Sequence, residues 1–527
     1  MAGFTFSDLS PTSFLERAGH VFRDRIAIID GSKQFTYGQF LNRSQRVAGG
    51  LVDAGVMPGD RVAALCVNSH VMLELHNAVP WAGGVLVPLN IRQSVSELAY
   101  IVKHSGAKIL IATAELAESA LAVRSVTGVV VVIAGGQEDT YEAMLADGDA
   151  TAIRCEDERS LVSINYTSGT TGRPKGVMYH HRGAYLQALA MAFHSHLEAD
   201  SKYLWTLPMF HCDGWCFTWG VTAAGATHVC LRLIEPAEIW RLIRNEGITH
   251  FSAAPTVLNL IANAKEASAG KVVGKSIHVD TGGAPPSPTL LAQLAELNMD
   301  VTHLYGLTET FGPVGINQWQ PQWNAKEASA QARLKARQGV GNVVAEHIRV
   351  VDDYGVDVPA DGRTMGQLAC RGNDLMLGYF HDDVATRAAT VDGWFGTGDL
   401  GVMHPDGYVE IRDRSKDVII SGGENIASIE VEQVLDSHDA VLESAVVGEP
   451  DEKWGEVPVA FVALREGQDV GVAELQALVR SQLASFKVPK RVIFGELPKT
   501  STGKIQKVEL RRSIRADQVS TCQNEDN

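Results

Sequence analysis

Short apolar runs that alternate with helical patterns constrain the fold of this chain more than any other feature. Between residues 20 and 135 the runs are rich in β-branched residues, and they lie at 26–29, 62–67, 85–89 and 108–112. A helical pattern at 36–54 separates the first two runs, and the same alternation returns between residues 161 and 305. Strands that alternate with helices form parallel sheets, because each helix returns the chain to the same edge of the sheet. We therefore predict two α/β units before residue 310.

The pattern changes after residue 348, where short strands are separated by Asp-Gly pairs at 361–362, 392–393 and 406–407. Asp-Gly is typical of hairpin turns, so this stretch predicts a β-rich piece. From residue 419 onward a strand, a helix, two strands and a helix predict a small α+β domain. The expected fold class is α/β, with a large N-terminal domain of two α/β subdomains and a β-rich subdomain, followed by a small α+β C-terminal domain.

Composition excludes several classes of protein. The chain has 527 residues, a formal net charge of −16, 45% hydrophobic residues and 20% charged residues, as expected for a globular protein of several domains. A general nucleic-acid binder would usually be basic, so we expect no nucleic-acid partner. The seven cysteines are scattered and odd in number, which indicates reduced thiols and a cytoplasmic location. We expect no secretion signal, because the first residues lack a basic region and an apolar core, and no transmembrane segment, because the strongest apolar run is too short to span a bilayer.

A run at 166–176 has the composition of a polyphosphate-binding loop. It contains three glycines, four serine or threonine hydroxyls and Lys175. Glycines let the backbone approach a ligand closely, N–H and hydroxyl groups donate to phosphate oxygens, and the lysine supplies positive charge. The run fits neither the P-loop nor the dinucleotide fingerprint. A strand at 161–166 and a helix at 183–193 predict that it lies at a strand-to-helix transition; a surface loop without function is the alternative.

Further motifs follow this run, and together they resemble those of the acyl-CoA synthetases in the adenylate-forming superfamily. In family order, the motifs lie at 167–176, 282–285, 305–309, 393–399, 414–417, 421–425 and 498–504. The resemblance covers essentially the whole chain. It implies a ligase that uses ATP to convert a carboxylic acid to acyl-AMP, releases pyrophosphate, and then transfers the acyl group to coenzyme A.

The resemblance implies ATP, Mg²⁺ and coenzyme A as cofactors. For the phosphates of ATP it implies Thr167, Ser168, Gly169, Thr170, Thr171, Gly172 and Lys175. Glu309 and Thr167 would hold Mg²⁺, a hard cation that prefers oxygen ligands. Lys504 would bridge the carboxylate and the α-phosphate while acyl-AMP forms. The implied catalytic residues are thus Lys504, Glu309, Lys175 and His211.

Recognition of the nucleoside is assigned to the middle motifs by the same resemblance. The implied nucleotide-binding residues are Gly283, Ala284, Pro285, Tyr305, Gly306, Thr308, Asp399 and Arg414. The Tyr305 ring would stack on adenine, and the Asp399 carboxylate would accept hydrogen bonds from both ribose hydroxyls. A turn-capping aspartate is the alternative for Asp399.

Family members rotate the C-terminal domain between the two half-reactions. The resemblance therefore implies domains at 1–414 and 415–527, the second of them mobile, with Lys416 as the hinge. Asp413-Arg414 stands where many relatives have Gly-Arg, so the boundary is set only to within a few residues.

Binding of coenzyme A is assigned to the C-terminal domain. Gly422 and Gly423 would line the pantetheine channel, where the absence of side chains gives room. Between residues 485 and 515, nine Lys or Arg face two Glu, and this basic stretch would meet the phosphates of coenzyme A. A solvated basic helix face is the alternative.

The segment 207–215 resembles the aromatic segment of the family's acyl pocket. His211 or Trp215 would be a gate or wall of the pocket, and a structural histidine is the alternative for His211. The form of the motif suggests a medium-chain, branched or aryl carboxylic acid.

Alternatives to the ligase remain open at this point. The acyl group could pass to a separate carrier protein instead of coenzyme A, oxidative light emission is another branch of the superfamily, and a homodimer is compatible with the sequence. A non-catalytic nucleotide-binding relative should have lost at least one reactive residue. This chain keeps Lys175, Glu309, Asp399, Arg414 and Lys504.

Overall fold

In the computed structural model of the chain, the described residues are 5, 7–167, 173–272, 274–283, 286–414, 417–421, 424–451, 453–500 and 504–514, without the side chains of residues 288, 328, 329, 414 and 425. The helices are α1 (Thr12–Val21), α2 (Tyr37–Asp53), α3 (His70–Trp81), α4 (Val95–Ser105), α5 (Ala117–Thr127), α6 (Thr140–Asp147), α7 (His181–His194), α8 (Cys212–Trp215), α9 (Phe217–Ala224), α10 (Pro236–Leu242), α11 (Pro255–Ala262), α12 (Pro288–Glu296), α13 (Ala328–Ala336), α14 (Asp383–Ala388), α15 (Ser428–Asp436) and α16 (Val472–Gln482).

The strands of the first half are β1 (Ile26–Asp30), β2 (Lys33–Thr36), β3 (Arg61–Leu65), β4 (Val85–Pro88), β5 (Ile109–Thr113), β6 (Val130–Ala134), β7 (Leu161–Thr167), β8 (Lys175–His180), β9 (Lys202–Leu204), β10 (Thr227–Val229), β11 (His250–Ala253) and β12 (Ile277–Thr281). Those of the second half are β13 (Met299–Leu307), β14 (Gly312–Ile316), β15 (Val340–Gly341), β16 (Arg349–Val351), β17 (Met365–Cys370), β18 (Thr390–Val391), β19 (Trp394–Met403), β20 (Val409–Arg414), β21 (Ile419–Ser421), β22 (Glu424–Ile426), β23 (Val441–Asp451), β24 (Gly455–Leu464) and β25 (Arg491–Phe494).

Two large sheets confirm the α/β class, but the chain builds them in an interleaved order. The six-stranded sheet has the order β6-β5-β3-β4-β7-β8, and the nine-stranded sheet has the order β15-β14-β13-β12-β11-β9-β10-β1-β2. The first strand thus pairs in parallel with β10, whereas β7 pairs in parallel with β4. The expectation of two successive α/β units was therefore wrong in its chain boundaries. Buried parallel strands have similar apolar sequences, so alternation alone does not identify their neighbours.

The predicted strand-to-helix transition at the phosphate run was also wrong. The strand β8 follows the run and pairs antiparallel with β7, and α7 begins only at His181. Both faces of β8 are largely covered, with Val177, Tyr179 and His180 buried. A strand covered on both faces does not alternate between polar and apolar residues, which explains why the sequence pattern missed it.

The β-rich piece was predicted correctly. It is a five-stranded sheet with the order β16-β17-β19-β18, in which β20 also pairs with β19. Asp392 and Gly393 form the two-residue turn between β18 and β19, with φ values of +50° and +77°. Positive φ at both positions is what this type of hairpin turn requires.

The residues after 418 form a separate five-stranded sheet with the order β22-β21-β24-β23, and β25 pairs in parallel with β24. Side chains of α15 and α16 pack on this sheet around Val431, Leu435 and Leu475. The last strand, β25, was not predicted from the sequence. The domain limits 1–414 and 415–527 stay a prediction.

Buried tryptophans support the segment that carries His211. Trp205 and Trp219 are fully buried, and each donates its indole N–H: Trp205 to His228 Nδ1 at 3.1 Å and Trp219 to the His76 carbonyl at 3.2 Å. Burial of such a side chain contributes roughly 1.5–3 kcal/mol, provided its polar atom keeps a partner. This packing fixes both ends of the segment in the protein interior.

Candidate active site

The ends of the phosphate run are held side by side by the hairpin. Thr167, the last residue of β7, is the register partner of Lys175, the first residue of β8. Both side chains are half-buried at the rim of the six-stranded sheet. The predicted phosphate residues Ser168, Gly169, Thr170, Thr171 and Gly172 lie outside the described residues, so their role stays a prediction.

Lys175 and Glu309 face each other across Tyr379. The ammonium of Lys175 lies 4.9 Å from the centre of the Tyr379 ring and 3.8 Å from Asp382 Oδ2. The Tyr379 hydroxyl donates a hydrogen bond to Glu309 Oε1 at 2.8 Å. Burial and the Glu309 charge raise the pKa of Tyr379, so its hydroxyl remains a donor. The structure thus connects two predicted residues through a third that the sequence analysis did not identify.

Glu309 lies in a 3₁₀ turn, Thr308–Thr310, directly after β13. The Tyr179 hydroxyl donates to the Thr308 carbonyl at 2.5 Å, and the Tyr179 ring stacks on Phe311 with 3.9 Å between ring centres. The turn therefore has a fixed position. Glu309 offers carboxylate oxygens and Thr167 a hydroxyl, and hard oxygen donors of this kind fit Mg²⁺.

Tyr305 and Asp399 form a buried pair. The Tyr305 hydroxyl donates to Asp399 Oδ2 at 2.7 Å, and the two residues are 7% and 4% exposed. Burial raises the pKa of Tyr305, which keeps the phenol protonated. Arg414 is the register partner of Asp399 across β19 and β20, so the backbone brings these two predicted residues together. A methyl group on Gly306 would lie 1.8 Å from the Gly312 carbonyl oxygen, which explains why this position is glycine.

The short element α8, directly after His211, is a left-handed turn and not a right-handed α-helix. Cys212, Asp213, Gly214, Trp215 and Cys216 have φ values of 49°, 43°, 60°, 54° and 60°. Each non-glycine residue in this conformation costs about 1–2 kcal/mol. Strain of this kind persists only where the surrounding structure holds it, and it is common at active sites.

Two charges from distant parts of the sequence act on the start of this turn. Burial, and then the nearby Lys504 ammonium, lower the pKa of His211 to about 4, so His211 is neutral at pH 7. Burial raises the pKa of Cys212 to about 12, and the charge of Glu309 adds to that increase. The Cys212 thiol also donates to Thr308 Oγ1 at 3.5 Å, so the turn that carries Glu309 packs against Cys212. The charges of two other predicted catalytic residues, Lys504 and Glu309, thus act on the segment that carries His211.

Lys504 is positioned by its own loop. Its backbone N–H donates to Thr500 Oγ1 at 3.0 Å, and the Thr500 N–H donates to the Lys504 carbonyl at 2.7 Å. Lys499 and Ile505 form an antiparallel bridge next to these bonds. The base of the loop is therefore closed, which fixes where the Lys504 side chain starts.

Trp215 covers two glycines beside the nucleotide motifs. A methyl group on Gly282 would lie 3.0 Å from Trp215 Cη2, and one on Gly312 would lie 3.0 Å from Trp215 Cδ1. The indole thus occupies the space that larger side chains would need. Gly283, the next residue after Gly282, has a φ of +88°. Several predicted residues lie outside the described part: Ala284, Pro285, Lys416, Gly422 and Gly423.

A small cavity of about 30 Å³ opens between the His211 segment and the start of the phosphate run. Its lining includes Asn90, Gln93, Tyr166, His211 and Thr308. Gln93 Oε1 is buried and has no hydrogen-bond partner among the described residues. Asn90 and Gln93 follow β4, and ligands of α/β sheets bind outside the carboxyl ends of the strands. That rule is the signal by which these two residues could have been found.

Carboxylates of the C-terminal sheet and helices neutralise most of the basic stretch at 485–515. The ion pairs are Lys487–Glu430, Arg491–Glu449, Lys499–Glu443, Lys507–Glu432, Arg511–Asp417 and Arg512–Glu509, at 2.5–2.7 Å. The stretch therefore carries much less free positive charge than its composition suggests. This pairing favours the solvated basic face over a binding surface for coenzyme A phosphates.

Comparison with known proteins identifies the family. The family model for AMP-binding enzymes matches residues 15–380, and the model for the AMP-binding enzyme C-terminal domain matches residues 430–504. This chain belongs to the AMP-binding enzyme family. The resemblance to acyl-CoA synthetases is confirmed, because its relatives include many named CoA ligases.

Two relatives and one solved structure illustrate the similarity. The chain is 43% identical to the acetate–CoA ligase CCL3 of Humulus lupulus, over 96% of this chain and 94% of the relative. It is 40% identical to 4-hydroxybutyrate–CoA ligase 2 of Metallosphaera sedula, over 98% of this chain and 96% of the relative. The ATP-bound structure of MatB from Rhodopseudomonas palustris aligns with a TM-score of 0.83 at 28% identity, over 95% of this chain and 98% of MatB. In the described parts of the chain, no helix is long and apolar enough to cross a membrane.

Proposed function

We propose that this chain is an AMP-forming acyl-CoA ligase, an acid–thiol ligase that acts in two steps. It activates a carboxylic acid with ATP as acyl-AMP, and then passes the acyl group to the thiol of coenzyme A. The observation that carries the proposal is that the predicted residues converge: Lys175 and Glu309 both contact Tyr379, and Thr308, next to Glu309, accepts from the Cys212 thiol at 3.5 Å. Residues from distant parts of the sequence meet there, and they are those that acyl-adenylate chemistry needs.

In the first half-reaction a carboxylate oxygen of the acid attacks the α-phosphorus of ATP, and pyrophosphate leaves. Negative charge grows on the α-phosphate and on the leaving group, and fixed cations and donors stabilise it most effectively. Lys504 would act on the attacking carboxylate and the α-phosphate, and Lys175 on the terminal phosphates. Mg²⁺, held by Glu309 and Thr167, would supply further positive charge at the phosphates. His211 is neutral at pH 7, so it would pack or donate a hydrogen bond without adding charge.

In the second half-reaction the sulfur of coenzyme A attacks the acyl carbonyl, the thiol proton is lost, and AMP leaves. Coenzyme A is favoured over a separate carrier protein because the relatives named above are CoA ligases. The roles of Lys416 as the hinge and of Gly422 and Gly423 in the pantetheine channel stay predictions. So do a cytoplasmic location and a homodimer.

A short-chain carboxylic acid is the substrate class that we propose. Relatives at 40% identity or more act, by name, on acetate and 4-hydroxybutyrate. We place the acyl chain against Trp215, whose ring fills the space over Gly282 and Gly312 and would limit the length of the chain. Medium-chain, branched and aryl acids, which the motif suggested, belong in the same substrate panel.

The test is a coupled assay of pyrophosphate and AMP release. Purified protein is incubated with ATP, Mg²⁺ and acetate, propanoate, butyrate, 2-methylpropanoate, hexanoate or benzoate, with and without coenzyme A. We expect AMP release that requires both an acid and coenzyme A, fastest for acids of two to four carbons. A chain that releases no AMP with coenzyme A and any of these acids would refute the proposal. Release that needs a holo carrier protein would replace the proposed acceptor.

A further inference from the structure

Tyr379 makes contacts with two residues that the ligase reaction would use. Its hydroxyl donates to Glu309 Oε1 at 2.8 Å, and its ring centre lies 4.9 Å from Lys175 Nζ. One side chain therefore holds a carboxylate through its polar end and an ammonium through its aromatic face. No motif of the sequence pointed to Tyr379.

The backbone holds Tyr379 firmly in this place. Its backbone N–H donates a hydrogen bond to Thr386 Oγ1 on α14 at 2.9 Å. The chain on both sides pairs with β8: the Leu377 N–H donates to the Met178 carbonyl at 3.0 Å, and the Phe380 N–H to the Gly176 carbonyl at 2.7 Å. Tyr379 and Lys175 are thus carried by adjacent extended segments, so their separation is set by backbone pairing.

The same segment is also tied to the turn that carries Glu309. The Met376 N–H donates to the Glu309 carbonyl at 2.9 Å. Glu309 is therefore held twice, through its backbone by Met376 and through its side chain by Tyr379. The bond to Oε1 fixes the rotation of the carboxylate and leaves Oε2 as the oxygen without a hydrogen bond from Tyr379.

The Lys175 and Glu309 side chains are both flexible, so both benefit from a contact that holds them in place. Lysine and glutamate side chains lose rotamer freedom when they are held in one place, and preorganised groups bind a ligand without that cost. Asp382 Oδ2, at 3.8 Å from Lys175 Nζ, competes for the same ammonium. The Tyr379 ring gives the lysine a second attractive surface, because the face of an aromatic ring attracts cations.

We propose that Tyr379 is a positioning residue for the polyphosphate of ATP and its metal ion. It fixes the Glu309 carboxylate, which would hold Mg²⁺, and it keeps the Lys175 ammonium in place at the end of the phosphate run. This inference rests on the proposed function for the identity of the ligand, but it concerns ATP binding and not the acid or the acyl acceptor.

Two substitutions separate the two contacts. Tyr379→Phe removes the hydroxyl and keeps the ring, whereas Tyr379→Leu removes both. Binding of ATP to the full chain is measured by isothermal titration calorimetry, with excess Mg²⁺ and with EDTA, in the absence of an acid substrate. Tyr408→Phe is the matched control, because the Tyr408 hydroxyl donates to the Gln318 carbonyl within a separate small apolar cluster with Trp323 and Leu334.

For Tyr379→Phe we expect Mg·ATP binding to weaken about tenfold, the typical effect of a lost hydrogen bond to a charged group, with metal-free ATP binding unchanged. For Tyr379→Leu we expect an additional weakening of about threefold that persists in EDTA, because the cation–π contact is also lost. Tyr408→Phe should bind both forms like the wild type.

Double mutants test whether Tyr379 acts through its two neighbours. In a Glu309→Gln background, Tyr379→Phe should have no further effect on Mg·ATP binding. In a Lys175→Met background, the additional effect of Tyr379→Leu in EDTA should disappear. If Tyr379 had a merely structural role, its substitutions would weaken ATP binding in both backgrounds.

Wild-type affinity for Mg·ATP in Tyr379→Phe would overturn the proposal, and so would equal losses with and without Mg²⁺. If Tyr379→Leu does not fold, the double mutant of Tyr379→Phe and Glu309→Gln still tests the contact between the Tyr379 hydroxyl and the Glu309 carboxylate. A wild-type chain that binds Mg·ATP but releases no AMP would refute the proposed ligase activity, but it would not affect the role of Tyr379 in ATP binding. A wild-type chain that does not bind Mg·ATP would overturn both.

Discussion

Tyr305 donates a 2.7 Å hydrogen bond to Asp399, and both side chains are buried between β13 and β19. The sequence analysis assigned these residues separately, one to adenine and the other to ribose. The structure makes them a unit in which the phenol fixes the carboxylate. An aspartate that must accept two ribose hydroxyls benefits from this orientation, because a fixed acceptor loses less freedom on binding.

Replacing Tyr305 with Phe should therefore weaken the use of ATP. The hydroxyl is lost but the ring remains, so we expect the KM for ATP to rise about tenfold, with a smaller change in kcat. The measurement is pyrophosphate release against ATP concentration at saturating acid. Tyr354→Phe is the control, since Tyr354 is 91% exposed. An unchanged KM would mean that Asp399 does not depend on this bond.

Lys504 should serve only the first half-reaction. Lys504→Ala removes the ammonium near His211, so pyrophosphate release should fall by at least about a hundredfold, as expected for the loss of a group that stabilises charge in the transition state. Conversion of supplied acyl-AMP and coenzyme A to the thioester should be preserved. Lys507→Ala is the control, because Lys507 is paired with Glu432 in the same domain. Equal loss of both half-reactions would contradict the assignment.

Trp215 should limit the length of the acid. With Trp215→Ala the space over Gly282 and Gly312 opens, and we expect kcat/KM for hexanoate relative to acetate to rise about tenfold or more, since each added methylene in an apolar pocket is worth about 1–3 kcal/mol. Alanine keeps the cost of positive φ at this position, so the comparison is not confused by a change in backbone strain. Competition between the two acids in one reaction measures the ratio directly. A ratio equal to that of the wild type would place the limit on chain length elsewhere.

Asp374 should make stability depend on pH. It is completely buried, and burial raises the pKa of Asp374 from 3.8 to about 7 although Asn342 donates to its Oδ2 at 3.0 Å. Between these two pKa values the folded chain holds a proton that the unfolded chain releases, so stability falls as pH rises through this window.

Asp374→Asn removes this ionisation. Between pH 4.5 and pH 8 we expect the variant to lose less stability than the wild type. Thermal melts at constant ionic strength measure this loss. Apart from differences in packing, the two proteins should be most alike at the acidic end. Asp353→Asn at an exposed position should follow the wild type. Parallel melting curves for wild type and Asp374→Asn would contradict a raised pKa at this site.

Local features of the fold were predictable and long-range ones were not. The helix predicted at 36–54 is observed as Tyr37–Asp53, and Thr36 caps it by accepting from the Gln39 N–H, a local interaction that the sequence contains. The turn at Asp392-Gly393 likewise depends on two adjacent residues. By contrast, the pairing of β1 with β10 joins residues about 200 positions apart, and nothing in either strand specifies the other.

The residues of the candidate site were likewise predictable only where the local sequence identifies them. Motif residues such as Glu309 and Lys504 were found because their neighbours in sequence carry the family pattern. Tyr379 and Gln93 were missed, because each acts through contacts with distant segments: Tyr379 with Glu309, and Gln93 with the cavity beside His211. Such residues have ordinary neighbours in the sequence, so only the three-dimensional arrangement reveals them.

The left-handed turn from Cys212 to Cys216 has a consequence for protein engineering. Four of its five residues are not glycine, although glycine would adopt these positive φ values at lower cost. A selection for heat resistance alone would therefore favour glycine at positions such as 213, and the gain would come from relief of the backbone. The same exchange would loosen the support of His211 and Trp215, so thermostable variants obtained there should be poorer enzymes.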